Sequence, residues 1–158
     1  MIVKPSPFTP YCNLKLGELA MNIFPPGVVQ VLSGADDLGP MLTEHPGIDK
    51  VSFTGSSATG KLVLRSCSQT VKRVTWELGG NDAAIVCEDV DLDAIVGKIT
   101  AMAFPNSGQI CMLIKRLYVH ADIYDRFRDA MVNIVKSIKT GDGFEPDVFV
   151  GPIQNSMQ

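Results

Sequence analysis

The sequence contains no apolar run that approaches the roughly 20 residues needed to cross a bilayer. Its first residues, 1–5, lack the basic and apolar regions of a secretory signal peptide. Positive charge is not concentrated either, because acidic and basic residues are interspersed and the formal net charge is −3. Neither nucleic acid nor a membrane surface is therefore an expected partner.

Cysteine and histidine are equally sparse. The chain has two histidines and no Cys-x-x-Cys motif, and its four cysteines, Cys12, Cys67, Cys87 and Cys111, are widely spaced. This pattern argues against both a structural zinc site and a disulfide framework, so we expect no bound metal. Free thiols indicate a reducing compartment, and we expect the protein to be cytoplasmic.

The composition that is present is that of a folded protein. Hydrophobic residues make up 46% and charged residues 20% of the 158 positions, a length suited to about one ordinary domain. Short β-branched runs predict strands at residues 2–4, 28–32, 51–54, 72–78, 82–86 and 117–119. Between them the apolar spacing predicts five helices. The first is amphipathic, starts at Thr9 or Tyr11 and is stopped by Pro25, and the second is short and capped by Asp36 or Asp37. The others lie at 57–67, at 89–103 and after Asp122, which caps the last helix.

Strands that alternate with helices predict an α/β fold with a parallel, Rossmann-like sheet flanked by helices. The pattern starts afresh after Gly79-Gly80. We therefore place a boundary there, between one α/β part at residues 1–78 and the start of a second α/β part at residues 79–158.

Three segments carry candidate chemistry. Residues 53–60 (Phe-Thr-Gly-Ser-Ser-Ala-Thr-Gly) form a strand-to-helix turn whose backbone N–H groups suit a pyrophosphate, although an ordinary turn has the same pattern. Glu77 ends a strand beside two glycines, where partial burial would raise the pKa of a general base; a solvated glutamate is the alternative. Cys111 follows a glycine-containing turn, and a thiol near a helix N-terminus is activated as a nucleophile. We interpret the other three cysteines as small packing residues.

Taken in order, five motifs resemble the aldehyde dehydrogenase superfamily: Lys-Pro-Ser at 4–6, Pro-Pro-Gly-Val at 25–28, Phe-Thr-Gly-Ser at 53–56, Glu-Leu-Gly-Gly at 77–80 and Gly-Gln-Ile-Cys at 108–111. The interval between Glu77 and Cys111 agrees with that family, and the resemblance covers essentially the whole chain.

The resemblance implies NAD- or NADP-dependent oxidation of a small-molecule aldehyde. Cys111 would attack the aldehyde carbon, its backbone N–H would form half of an oxyanion hole, and Glu77 would activate the hydrolytic water. The cofactor residues implied by the match are Lys4, Ser6, Gly39, Phe53, Gly55, Ser56, Gly60, Leu78 and Gly79, with Phe53, Leu78 and Gly79 at the nicotinamide end. The full-length form would be a homo-oligomer.

This sequence departs from the family at several positions. Pro7 stands where NAD-preferring members carry a glutamate that binds the ribose hydroxyls, which leaves NADP open. Trp76, Pro105 and Leu113 also differ from the usual residues. They either crowd the wall of the active site or are tolerated drift.

Other parts of the family's catalytic apparatus lie outside these 158 residues, including the asparagine of the oxyanion hole and the oligomerisation strand. Since loss of one oxyanion donor costs on the order of 10²–10³ in rate, we expect this central fragment to be inactive by itself. The alternative function is a truncated, non-catalytic paralogue that binds nucleotide or joins a full-length subunit.

Overall fold

Every strand in the computed structural model pairs in parallel with one other strand, and a helix connects the two partners. The model describes all 158 residues and divides them into two compact units, Met1–Leu78 and Gly79–Gln158. The α/β class with parallel strands and flanking helices is as predicted, but the strands form three two-stranded sheets.

The first unit holds two of these sheets. Its elements are β1 (Ile2–Val3), α1 (Tyr11–Ala20), β2 (Gln30–Val31), α2 (Leu38–Glu44), β3 (Lys50–Thr54), α3 (Ser57–Ser68) and β4 (Arg73–Glu77). β1 pairs with β2, and β3 pairs with β4 over five residues, from Lys50 opposite Arg73 to Thr54 opposite Glu77. The longer pair positions both the candidate phosphate turn and the candidate base.

The first helix and the second strand differ from the prediction. α1 ends at Ala20, well before Pro25, and of its apolar residues only Ala20 is buried, whereas Leu16 and Leu19 are more than half exposed. The strand predicted at 28–32 is two residues long, with Val28 exposed, so it is not a buried central strand. The apolar periodicity correctly indicates that α1 is a helix. It also implies that another element packs against the apolar face of α1, but this unit leaves most of that face exposed.

The predicted cap of α2 is correct in position but not in bonding. Asp37 is the residue before the helix, but its side chain makes no capping hydrogen bond. The cap of α3 is conventional, since the Ser56 hydroxyl accepts a hydrogen bond from the N–H of Thr59.

The second unit is built on β5 (Ala83–Val86), α4 (Leu92–Ala103), β6 (Arg116–Val119) and α5 (Ala121–Ser137), with a short 3₁₀ turn at Pro105–Gly108. β5 pairs in parallel with β6, and the crossover helix α4 connects the two strands. The two helices pack together over one core cluster, whose buried members are Val86, Leu92, Val96, Ile123 and Phe127. This core fixes the ends of the loop that contains Cys111.

Two helix starts in this unit lie elsewhere than predicted. α4 begins at Leu92 because the Asp91 carboxylate accepts from the N–H groups of Asp93 and Ala94. α5 is capped by His120, whose Nδ1 accepts from the N–H of Asp122 at 3.4 Å, so Asp122 is a first-turn acid and not the cap. None of the five helices combines the length and the apolar character that a membrane span requires.

Candidate active site

The carboxyl edge of the β3–β4 pair brings two predicted site segments together. Thr54 and Glu77 are opposite each other at the last register position. One residue further on, the N–H of Gly55 donates to the carbonyl oxygen of Glu77 at 3.0 Å. The candidate phosphate turn and the candidate base are therefore joined through their backbones at the edge where α/β sheets bind ligands.

Glycine is required in this turn by close packing. A Cβ on Gly55 would lie 2.6 Å from the ring of Phe53, and one on Gly60 would lie 3.0 Å from Leu78 Cδ2 and 3.6 Å from Trp76. Gly60 is buried, so its contribution is the close approach of α3 to β4. Ser56 caps the start of α3, directly after Gly55, and the first N–H groups of a helix have no partner within it.

Glu77 has an exposed side chain, so the expected partial burial is not found. Its neighbour Trp76 faces the other way, with its ring 6.0 Å from that of Phe53 in an edge-on arrangement at 70°. The alternation of the strand directs the indole towards α3, where it packs over Gly60. Trp76 therefore fills the space between sheet and helix, and does not crowd the wall beside Glu77.

The remaining cofactor candidates of the first unit are more dispersed. Lys4 directly follows β1, and its ammonium donates to the carbonyl of Pro5 at 2.8 Å. The Ser6 hydroxyl accepts from the N–H of Phe8. Gly39 lies in α2 with open space where a Cβ would be, and Leu78 is 37% exposed. Gly79 opens the second unit and is also exposed.

Cys111 lies on an irregular loop of the second unit. The 3₁₀ turn before it contains three residues with left-handed backbone, Asn106 (φ 49°), Ser107 (φ 58°) and Gly108 (φ 78°). The Cys111 side chain is exposed, and the next regular element is β6. The prediction that a helix N-terminus adjoins the thiol was therefore wrong.

A lysine holds the backbone of this loop. The ammonium of Lys115 donates to the carbonyl of Ile110 at 2.7 Å and to that of Leu113 at 3.2 Å, and so spans the residues on either side of Cys111. The N–H of Cys111 donates no hydrogen bond within the chain. Lys115 did not emerge from the sequence, although a lysine four residues after a candidate nucleophile is a recognisable signal.

The other two departures are accommodated by the fold. Pro105 starts the 3₁₀ turn directly after the last residue of α4 and its cap, a position where proline fits because no helical N–H is needed. Leu113 is 2% exposed and belongs to the interior. Of the other cysteines Cys67 is buried, as a packing residue should be, but Cys12 and Cys87 are exposed.

One exposed group of possible metal ligands lies in the second unit. Nδ1 of His120 is 3.7 Å from a carboxylate oxygen of Glu88 and 3.9 Å from one of Asp122. That nitrogen is already the acceptor that caps α5. The group is accounted for as a helix cap with neighbouring acids.

Glu77 and Cys111 belong to different units. Glu77 lies at the carboxyl edge of β3–β4, and Cys111 lies on the loop between α4 and β6.

Known proteins match the chain over its whole length. The aldehyde dehydrogenase family profile matches residues 1–158. Aldehyde dehydrogenase LUC3 of Fusarium sp is 50% identical over 158 residues, which are all of this chain and 33% of that protein. The crystal structure of aldehyde dehydrogenase from Brucella melitensis biovar abortus 2308 superposes with a TM-score of 0.96 at 40% identity over 99% of this chain and 33% of that one. PnpE in complex with nicotinamide adenine dinucleotide gives 0.95 at 38% identity, again covering 99% of this chain and 32% of that one. The chain thus spans about a third of the length of these relatives.

Proposed function

Because the chain belongs to the aldehyde dehydrogenase family, we propose that it supplies the nucleophile, Cys111, and the general base, Glu77, of an NAD- or NADP-dependent oxidation of an aldehyde to a carboxylate. Residues 1–78 would contribute to cofactor binding, and residues 79–158 would begin the catalytic part. The observation that carries the proposal is on the loop of Cys111, where an exposed thiol and an unused backbone N–H belong to the same residue.

The chemistry starts at the sulfur. The Cys111 thiolate adds to the aldehyde carbon and forms a thiohemiacetal, whose oxyanion accepts a hydrogen bond from the N–H of Cys111. When bound, the nicotinamide cofactor supplies the hydride acceptor. Loss of the hydride leaves a thioester on Cys111. Glu77 then takes a proton from water, the hydroxide adds to the thioester carbon, and the carboxylate product leaves as the thiol is restored.

The residues of the first unit fit a dinucleotide in their chemistry. α3 has twelve residues, and its N-terminus, at Gly55 and Ser56, offers backbone N–H groups and the positive end of the helix dipole to a pyrophosphate. Lys4 and Ser6 follow β1 and provide an ammonium and a hydroxyl for the ribose. Pro7 supplies no carboxylate against a 2′-phosphate, so both NAD and NADP are proposed.

The exposure of Glu77 suits its proposed role. A base that activates water has to reach solvent, and the Glu77 carboxylate is exposed at the end of β4. Its backbone carbonyl accepts a hydrogen bond from the N–H of Gly55. The need for a free thiol at Cys111 suits a reducing compartment such as the cytoplasm. A homo-oligomeric assembly of the full-length form stays a prediction.

The test is a hybrid enzyme. Residues 1–158 replace the corresponding third of a full-length aldehyde dehydrogenase of known structure, and production of NADH or NADPH is followed with simple aldehydes. We expect turnover, and we expect Cys111→Ala to abolish it. Glu77→Gln should lower kcat by 10²-fold or more, since general-base catalysis contributes about 10²–10⁴.

The controls lie on the same chain. Cys87→Ala and Glu88→Gln change an exposed cysteine and an exposed glutamate outside the proposed machinery, so both hybrids should retain activity. A hybrid that folds, binds cofactor and lacks turnover would instead favour the non-catalytic function.

A further inference from the structure

The turn that precedes Cys111 is held in an unfavourable backbone conformation. Asn106, Ser107 and Gly108 all lie in the left-handed region, at φ values of 49°, 58° and 78°. Only glycine enters this region without steric cost, and asparagine tolerates it better than serine does. Two consecutive residues with a Cβ therefore need contacts elsewhere that keep them there.

The side chain of Gln109 provides the main set of such contacts. Its Nε2 donates to the carbonyl of Asn106 at 2.8 Å and to the carbonyl of Pro152 at 3.2 Å. Its Oε1 accepts from the N–H of Gln154 at 2.8 Å. One amide thus closes the turn on itself and fastens it to a segment 43 to 45 residues away.

Ser107 makes a second connection to the same segment. Its hydroxyl donates to the carbonyl of Gly151 at 2.8 Å, across 44 residues, and this bond is partly buried. The serine that bears the steric cost of the left-handed conformation is thereby the one whose side chain is anchored.

The receiving segment, residues 151–154, is itself attached to the end of α5. The N–H of Phe149 donates to the carbonyl of Lys139 at 3.0 Å, and the N–H of Gly141 to that of Val150 at 3.1 Å. Thr140 and Val150 form a parallel bridge. The segment therefore reaches the turn from a supported position.

We propose that Gln109, with Ser107, is a positioning residue that locks the Cys111 turn to residues 151–154. This deepens the proposed function, on which it rests: Gln109 and Ser107 set the backbone from which the nucleophile projects, without touching the substrate. The hydrogen bonds of Gln109 and Ser107 to residues 151–154 can be tested without any turnover.

The first test is amide hydrogen exchange of the 158-residue chain, read at Gln154 by NMR. Gln109→Met preserves length and volume but makes no hydrogen bond, so exchange at Gln154 should accelerate about fivefold or more. Gln109→Glu keeps the acceptor for that N–H and should retain most of the protection. Gln30→Met, which removes one exposed hydrogen bond of the first unit, is the matched control and should leave Gln154 unchanged.

The second test reads the position of Cys111. Alkylation by iodoacetamide, quantified for each cysteine by mass spectrometry, gives the ratio of Cys111 to exposed Cys87, while amide exchange at buried Phe127 reports that the second unit stays folded. A released turn presents the thiol from more directions, so Gln109→Met should raise the ratio about twofold or more, Ser107→Ala should raise it less, and Gln109→Glu should restore it.

Each outcome decides the proposal. Unchanged Gln154 exchange in Gln109→Met, absent protection of Gln154 in the unsubstituted chain, or loss of amide protection at Phe127 together with the change at Cys111 would overturn the lock. Faster Gln154 exchange with an unchanged alkylation ratio would overturn the positioning role. An intact lock in a chain whose hybrid has no turnover would instead refute the proposed function and leave the lock standing.

Discussion

Among single residues, Val71 occupies the least favourable position relative to its type. It has φ 54° in the turn after α3 and is 88% exposed. Its N–H donates to the carbonyl of Ser68 at 3.3 Å, and the N–H of Lys72 donates to that of Cys67 at 3.1 Å. These two bonds form a Schellman motif, in which the left-handed residue is usually glycine. A β-branched residue in that place carries a steric cost that no packing offsets.

Val71→Gly should therefore stabilise the first unit. The left-handed conformation costs an L-residue about 1–2 kcal/mol, and glycine removes this cost. Glycine also makes the unfolded chain more flexible, which lowers stability by part of that amount. We therefore expect a net increase of about 1 kcal/mol in the free energy of unfolding. Urea denaturation measures it. Val71→Ala keeps the Cβ and should change stability much less; equal effects of both variants would contradict the steric explanation.

Cys67 should make stability depend on alkaline pH. Burial raises the pKa of the Cys67 thiol above its ordinary value of 9.0, and the nearby Lys72 ammonium opposes the shift. An acid whose pKa is raised by folding ionises first in the unfolded chain. The Cys67 contribution is thus complete below the ordinary pKa and is lost as pH rises through the folded-state pKa.

The measurement compares unfolding free energies at about pH 8 and about pH 10, on either side of the thiol's ordinary pKa. The unsubstituted chain should lose more stability over this interval than Cys67→Ala, which has no thiol to ionise. Parallel losses in the two proteins would rule out this linkage.

Among the elements, those that bury one face are the ones the sequence predicts well. The strand at 51–54, the helix at 57–67 and the apolar spacing of α5 all appear within a residue or two of their expected bounds. The lengths and burial of α1 and β2 were predicted less well. Apolar periodicity does not show whether another element packs against the apolar face. The Cys111 turn could not be predicted, because its conformation depends on hydrogen bonds from residues 43 to 45 positions away.

The packing of α5 on α4 gives a prediction for the second unit. Phe127 is 2% exposed and lies in the cluster with Ile123 and Val96. Phe127→Ala should cost about 3–5 kcal/mol, because it removes buried surface and leaves a cavity. Thermal and urea denaturation measure this loss. Arg126→Ala, at the adjacent exposed position, should change stability by less than about 0.5 kcal/mol; a similar loss in both would mean that this cluster is not a core.

At the scale of the whole molecule, the accessible surface is large. It amounts to 11304 Å², whereas two separate compact proteins of half the mass would together expose about 9,300 Å². Many large apolar side chains are exposed. On the β5–β6 pair, for example, Ile85 and Tyr118 lie side by side in register and are 77% and 53% exposed. Contiguous apolar surface of this kind favours association.

We therefore expect the 158-residue chain to bind the dye ANS and to self-associate as its concentration rises. Ile85→Lys should weaken both effects, because it removes the more exposed apolar side chain of this pair and places a charge beside Tyr118. Val132→Lys, at an isolated exposed position on α5, serves as the control and should have little effect. Sedimentation velocity that shows a dye-silent monomer at all concentrations would contradict this prediction.

The bonds that fasten the Cys111 turn to residues 151–154 also have a consequence for the order in which the chain acquires its structure. α4 and α5 can form from neighbouring residues, but the turn needs partners 43 to 45 positions further along. Closing a loop of that length carries an entropic cost that has to be met before its contacts contribute. On the ribosome, Cys111 is made well before Gln154, so the proposed nucleophile acquires its native setting only after the last of these residues has been added.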